Sequence, residues 1–160
     1  MDQAWRANRP KRPLRPTIAN RLGLRRLART SERELHACAL GYRAKSLLAT
    51  AKRVASGKAD LERWSALSDK ELEEKLRDLP GVGAKVANCV MLFAYERIAA
   101  FPIDVWIERV LRQIYFRRKR KVTSSMLVNF AAEYFGTHGG YAQQYLFHHA
   151  RSLKRRSEIA

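Results

Sequence analysis

Residues 79–83 read Leu-Pro-Gly-Val-Gly, and this break between two helical stretches constrains the fold more than any other feature of the chain. Proline cannot sit in a helix interior, and glycine permits a reversal that a β-carbon would strain. On the near side, Ser68-Asp69-Lys70-Glu71 is a capping box, opening a helix that runs to about Asp78. On the far side, residues 84–96 are apolar without a broad polar face, which predicts a deeply buried helix. Two helices therefore meet at a short, sharp corner.

The remainder of the chain repeats this helical grammar. Ser31-Glu32-Arg33-Glu34 is a second capping box, and Gly41 interrupts the helix it opens. Residues 44–56 place Leu47, Leu48, Ala51, Val54 and Ala55 at helical spacing, with Gly57 as a stop. Asp104 is a good N-cap for a helix through about Phe116, and helices over 124–135 and 141–153 complete the set. No stretch alternates as a strand would, and no internal repeat is visible. The expected fold is all-α: one compact helical domain over residues 30–153. It is preceded by a basic, poorly ordered arm over residues 1–29, whose first sixteen residues are broken by Pro10, Pro13 and Pro16, and followed by a tail over 154–160. A chain of 160 residues is long enough for a real core, since a domain of ~150 residues buries roughly 70% of its unfolded surface.

Charge narrows the partners. Thirty-two Lys and Arg face fifteen Asp and Glu, for a net +17, which favours a polyanion, with nucleic acid ahead of an acidic membrane surface, an acidic protein or a ribonucleoprotein assembly. No apolar run approaches the ~20 residues that cross a membrane. Met1 to Pro16 has no apolar segment of the secretory type, although its charge alone is compatible with an organelle transit peptide. The two cysteines, Cys38 and Cys89, are far apart and lack C-x-x-C spacing, so neither zinc nor an iron–sulfur cluster is expected, and a reduced intracellular compartment is. His148 and His149 are adjacent, point apart on a helix, and do not make a metal pair.

At the corner, Gly81 and Gly83 flank one apolar residue, Val82, which can tuck inward and pin the turn. Amides at the start of the following helix then point outward, where the helix dipole favours an anion. This is the helix-hairpin-helix pattern, which grips a DNA backbone without reading sequence; the plain alternative is an ordinary corner between helices. The run Arg117-Arg118-Lys119-Arg120-Lys121 reads as a DNA-facing loop in preference to a solvated turn. Lys85 lies just inside the helix after the hairpin, and desolvation there would favour the neutral, nucleophilic amine. Nineteen residues on, Asp104 sets a carboxylate at a helix start, placed to stabilise positive charge developing on a sugar. Taken singly, Lys85 reads as a phosphate contact and Asp104 as a plain cap.

Hairpin, Lys85 and Asp104 together resemble the helix-hairpin-helix GPD superfamily of DNA glycosylases, in which a lysine at this place marks the bifunctional glycosylase/lyases. The absence of a four-cysteine set separates the chain from the iron–sulfur branch. Further residues are similar to those of the 8-oxoguanine DNA glycosylase/AP lyases. Leu40-Gly41-Tyr42-Arg43-Ala44-Lys45 matches the segment that inserts a tyrosine, here Tyr42, at the lesion and sets an arginine, here Arg43, against the orphaned cytosine. Cys89 matches the cysteine on one face of the flipped base. In Gly140-Tyr141-Ala142-Gln143-Gln144-Tyr145-Leu146-Phe147, Gln143 would bond the base edge and Phe147 would stack on the other face. Local packing offers plainer roles for Tyr42, Cys89 and Phe147. The resemblance covers about residues 30–153.

The resemblance implies a repair enzyme that excises 8-oxoguanine from double-stranded DNA through a lysine Schiff base. It also implies a structural cation near the carbonyls of Arg77, Leu79 and Val82, no catalytic metal, and a DNA-associated intracellular monomer in the cytoplasm or nucleoid of a bacterium or the nucleus of a eukaryote. Members of the family carry a β-rich domain and further helices before the Gly-Tyr-Arg segment, where this sequence has about forty residues, so the chain is expected to be an N-terminally shortened form. A histidine found in some relatives two residues after the aspartate is Trp106 here. The alternative from another class is a truncated, non-catalytic helix-hairpin-helix DNA-binding protein.

Overall fold

The structure, a computed structural model, describes residues 18–117 and 121–157. Among them are eight α-helices, two short 3-10 turns and no strand, as the helical spacing of the sequence requires. Residues 1–17 of the expected arm, 118–120 of the basic run and 158–160 of the tail lie outside the described residues. The rest of the stretch read as an arm is helix α1, Ile18–Arg29, and the last helix runs on to Ser157, four residues beyond its expected end.

The chain divides into two compact units between Trp64 and Ser65. In the first, α1 packs against α3 (Arg43–Ala55), as does α2 (Glu32–Ala37). Leu35, Ala44 and Ala51 are buried. The Ser31 capping box forms as expected: Ser31 Oγ accepts the amide of Glu34, and the Glu34 carboxylate accepts the amide of Ser31 at 2.8 Å. Between α2 and α3 the backbone turns through two left-handed residues, Ala39 and Gly41.

The second unit contains the corner. Helix α4, Asp69–Arg77, opens on the Ser68 capping box and buries Leu72 and Leu76. Helix α5, Ala84–Phe93, packs against it. The expectation of deep burial for α5 is not met. Only Ala87 and Met91 are buried, a single stripe at i, i+4 spacing, while Phe93 is 64% exposed and Val86 and Lys85 are also exposed. The helix also ends at Phe93, three residues before the expected 96. A mostly apolar sequence does not bury a helix that has neighbours along one stripe.

Helix α6, Val105–Tyr115, begins at Asp104, whose side chain caps it. Helix α7, Ser124–Phe135, begins at Thr123, and helix α8, Gly139–Ser157, follows Gly136, which takes the left-handed conformation at φ +51°. Ile107, Leu111 and Leu127 form the centre of the core. Burying each such side chain stabilises the fold by ~1.5–3 kcal/mol. Aromatic rings close around this centre: Phe101 stacks on Phe135, and Tyr115 meets Phe130 with ring centroids 4.9 Å apart. Arg112 ties α6 to the segment before α7, donating to Glu108 Oε1 and to the carbonyl of Val122 at 2.8 Å.

Candidate active site and nucleic-acid interface

The hairpin takes the form its sequence demands. The amide of Val82 donates to the carbonyl of Leu79 at 3.1 Å, with Pro80 and Gly81 at the two central positions and Gly81 at φ +76°. Proline followed by a left-handed glycine is the signature of a type II turn. Leu79 is buried and Val82 half-buried, so the two apolar residues pin the turn while Gly81 and Gly83 face outward. Gly83 is the N-cap of α5 and offers no side-chain acceptor to its first amides. A β-carbon built on Gly83 would meet no protein atom within 4 Å. The helix start is therefore open, with the unsatisfied amides that characterise any helix N-terminus.

Lys85 is the second residue of α5 and is exposed. The buried setting expected for it from an apolar helix is absent, because the buried stripe runs through Ala87 and Met91 instead. Cys89, one turn beyond Lys85, is half-buried and carries a free thiol. Asp104 is half-buried at the start of α6, and its Oδ1 accepts the amide of Ile107 at 2.8 Å. The loop before it is fixed by Pro102, which is fully buried, and by the Phe101–Phe135 stack.

Gln143 and Phe147 both lie on α8. Gln143 is the buried polar residue of the core, 5% exposed, and its Oε1 accepts from Gln144 Nε2. Phe147 is half-buried and packs against the Ile107–Leu111–Leu127 cluster, with the Arg151 guanidinium 5.6 Å from its ring centre. The N-terminal end of α8 meets α5 directly, because Gly140 abuts the side chain of Leu92. Cys89 stands one turn from Leu92, and Gln143 one turn from Gly140, so the candidate base-contacting residues of the two helices flank one contact.

In the first unit, Tyr42 is 86% exposed as the N-cap of α3, and Arg43 is also exposed, its guanidinium 5.7 Å from the Tyr42 ring centre. Tyr42 therefore lies outside the core of the described residues. Around the proposed cation site, the Leu79 carbonyl already accepts the Val82 amide, and a carbonyl has a second lone pair. His148 and His149 are both exposed on α8. Among the described residues no cluster of three or more His, Cys, Asp or Glu gathers, and no helix is long and apolar enough to cross a membrane.

Sequence reasoning missed two features. Arg97 donates to the carbonyls of Ser65 and Leu67 at 2.8 and 2.9 Å, and its Nε lies 3.3 Å from Asp69 Oδ1 without hydrogen-bond alignment. An isolated arginine in a loop gives no local signal of such contacts. Gly139-Gly140 is the second: both are buried where α8 enters the core, and the doublet itself was the available signal.

No protein-family model matches the chain. The chain is 36% identical over 118 residues to a probable N-glycosylase/DNA lyase of Methanothermobacter thermautotrophicus, covering 74% of this chain and 37% of that protein. It is 31% identical over 134 residues to the N-glycosylase/DNA lyase OGG1 of Arabidopsis thaliana, covering 78% of this chain and 36% of that one. The crystal structure of Clostridium acetobutylicum 8-oxoguanine glycosylase/lyase, in complex with double-stranded DNA containing cytosine opposite 8-oxoG, matches with a TM-score of 0.77 and 36% identity over 82% of this chain and 44% of that one. The chain thus spans little more than a third of the length of these curated relatives. Over that span, in sequence and in helical fold, it is similar to the N-glycosylase/DNA lyases.

Proposed function

We propose that this chain acts on duplex DNA as an 8-oxoguanine N-glycosylase with AP lyase activity, with Lys85 as the nucleophile. The observation that carries the reading is the open hairpin at Gly81–Gly83 running directly into the helix that holds Lys85, in a chain 36% identical to a glycosylase/lyase crystallised with 8-oxoG-containing DNA. Hairpin amides and the surplus of Lys and Arg hold the backbone. Tyr42 fills the stack left by the extruded base, with Arg43 against the orphaned cytosine. The oxidised guanine lies between Cys89 and Phe147, and Gln143 meets its edge once Gln144 gives up its bond to that amide. Lys85 Nζ attacks the anomeric carbon, and the bond to the base breaks with the base carrying away the electron pair and taking up a proton. The amine adduct loses a proton and opens to an imine. Loss of a proton from the adjacent sugar carbon then expels the 3′-phosphate and nicks the strand. Asp104 stabilises the cationic sugar and relays protons. A cation held by the carbonyls of Arg77, Leu79 and Val82 would brace the hairpin and takes no part in the chemistry. A DNA-associated monomer inside the cell fits this role.

A second reading, a binding module without catalysis, draws on the exposure of Lys85. An exposed lysine beside the hairpin can hold a phosphate without any chemistry. A nicking assay on a duplex containing 8-oxoG opposite cytosine separates the two. Strand cleavage lost in Lys85→Ala supports the enzyme. Salt-sensitive binding with no cleavage supports the module.

A further inference from the structure

The loop between α5 and α6 touches more of the site than its sequence announces. Its first half, residues 95–100, forms a seat for α8. The amide of Gly140 donates to the carbonyl of Ile98 at 2.8 Å. A β-carbon on Gly140 would collide with Leu92 and lie 2.9 Å from the Ile98 carbonyl oxygen and 3.2 Å from that of Ala100; one on Gly139 would lie 2.9 Å from the Ala99 carbonyl oxygen. Three successive carbonyls therefore face a helix start that only glycine allows this close. Both glycines have ordinary helical or near-helical backbones, so the requirement is space rather than conformation. The same half-loop is pinned by Arg97, whose guanidinium bonds the Ser65 and Leu67 carbonyls, and whose amide donates to the Met91 carbonyl at 2.9 Å. The second half, residues 101–104, touches the same helix start through Phe101, whose ring lies 3.5 Å from a β-carbon on Gly139, but it has anchors of its own in buried Pro102, the Phe101–Phe135 stack and the Asp104 cap.

We propose that Gly140, seated on the Ile98–Ala100 carbonyls and fixed through Arg97, is the positioning residue that sets where Gln143 stands for base reading, independently of Asp104. The inference rests on the enzymatic reading above. Gln143 is one turn beyond Gly140 on the same rigid helix, so a shift of the seat is transmitted to it. Asp104 has its own anchors and holds its place. Base recognition and sugar chemistry are then separately adjustable: displacing the seat impairs removal of the oxidised base and spares cleavage at a sugar that has already lost its base.

The test compares Gly140→Ala, Arg97→Ala and Arg97→Lys in the full chain by single-turnover kinetics on two duplexes. One carries 8-oxoG opposite cytosine and the other a preformed abasic site. Thr123→Ala, which removes the distant cap of α7, is the control for lost stability. Gly140→Ala and Arg97→Ala are expected to slow base release at least about tenfold while abasic cleavage changes by less than about threefold, since a displacement of ~1 Å can cost ~100-fold in rate. Arg97→Lys recovers part of the loss, and Thr123→Ala shows no such split. Should Gly140→Ala not fold, Arg97→Ala carries the same test without added volume. Equal slowing of both reactions, or the same split in Thr123→Ala, overturns the positioning role while leaving the enzymatic reading intact. A wild-type chain inactive on both duplexes overturns the enzymatic reading, and this inference with it.

Discussion

The Asp104 carboxylate accepts the amide of Ile107 at 2.8 Å, so one of its oxygens starts helix α6 while the residue as a whole stays half-exposed. One residue thus carries a structural role that needs only an acceptor, and a chemical role that needs charge. Substitution separates them. Asparagine caps a helix about as well as aspartate. Asp104→Asn is therefore expected to melt close to wild type yet to lose base release by at least about 100-fold. Asp104→Ala should lose the activity and also about 1 kcal/mol of stability, a fall of roughly 2–4 °C in a chain of this size. Melting curves run beside single-turnover rates check both. Full activity in Asp104→Asn would mean the carboxylate is a cap alone.

The hairpin yields a prediction about binding. A β-carbon on Gly83 meets nothing in the protein, so Gly83→Ala should fold and melt near wild type, with a small loss from a poorer N-cap. It should still obstruct a phosphate approaching the first amides of α5. Duplex affinity is expected to drop about tenfold, or ~1.4 kcal/mol, whether or not the duplex carries a lesion. Fluorescence anisotropy at fixed salt measures this. Unchanged affinity would place the backbone grip elsewhere.

The two capping boxes make stability depend on pH in a definite direction. Hydrogen bonds from Ser31 and Ser68 hold the carboxyls of Glu34 and Glu71 below the usual carboxylate range. A group whose pKa is depressed by folding stabilises the protein above its unfolded pKa, and that contribution is lost as pH falls through the folded value. The urea midpoint is therefore expected to fall as the solution is acidified through the carboxylate range. The double variant Glu34→Gln/Glu71→Gln should show a shallower fall. An equally steep acid profile in the double variant would assign the pH dependence to other carboxylates.

What the sequence revealed and concealed follows from the range of the signals. Both capping boxes, the Pro80-Gly81 turn and the Asp104 cap are encoded within four residues, and each forms where the spacing requires. The burial of α5 is not legible in its sequence, because composition reports how apolar a helix is and not how many neighbours it has; Phe93 and Val86 are apolar and exposed. Helix α1 was hidden in arginine-rich sequence that reads as an arm. Arg97 and its partners near residue 65 are some thirty positions apart, beyond any local pattern. The candidate site divides the same way. The hairpin and the cap were legible, whereas the burial of Gln143 and its bond to Gln144 depend on how α8 enters the core.

Borohydride trapping on a duplex containing 8-oxoG tests the central claim most directly. If Lys85 forms an imine with the sugar, reduction fixes a covalent protein–DNA adduct, formed by wild type and absent in Lys85→Gln, which still binds the duplex. An adduct of undiminished yield in Lys85→Gln, or none from a wild-type chain that binds the same DNA, would contradict Lys85 as the nucleophile.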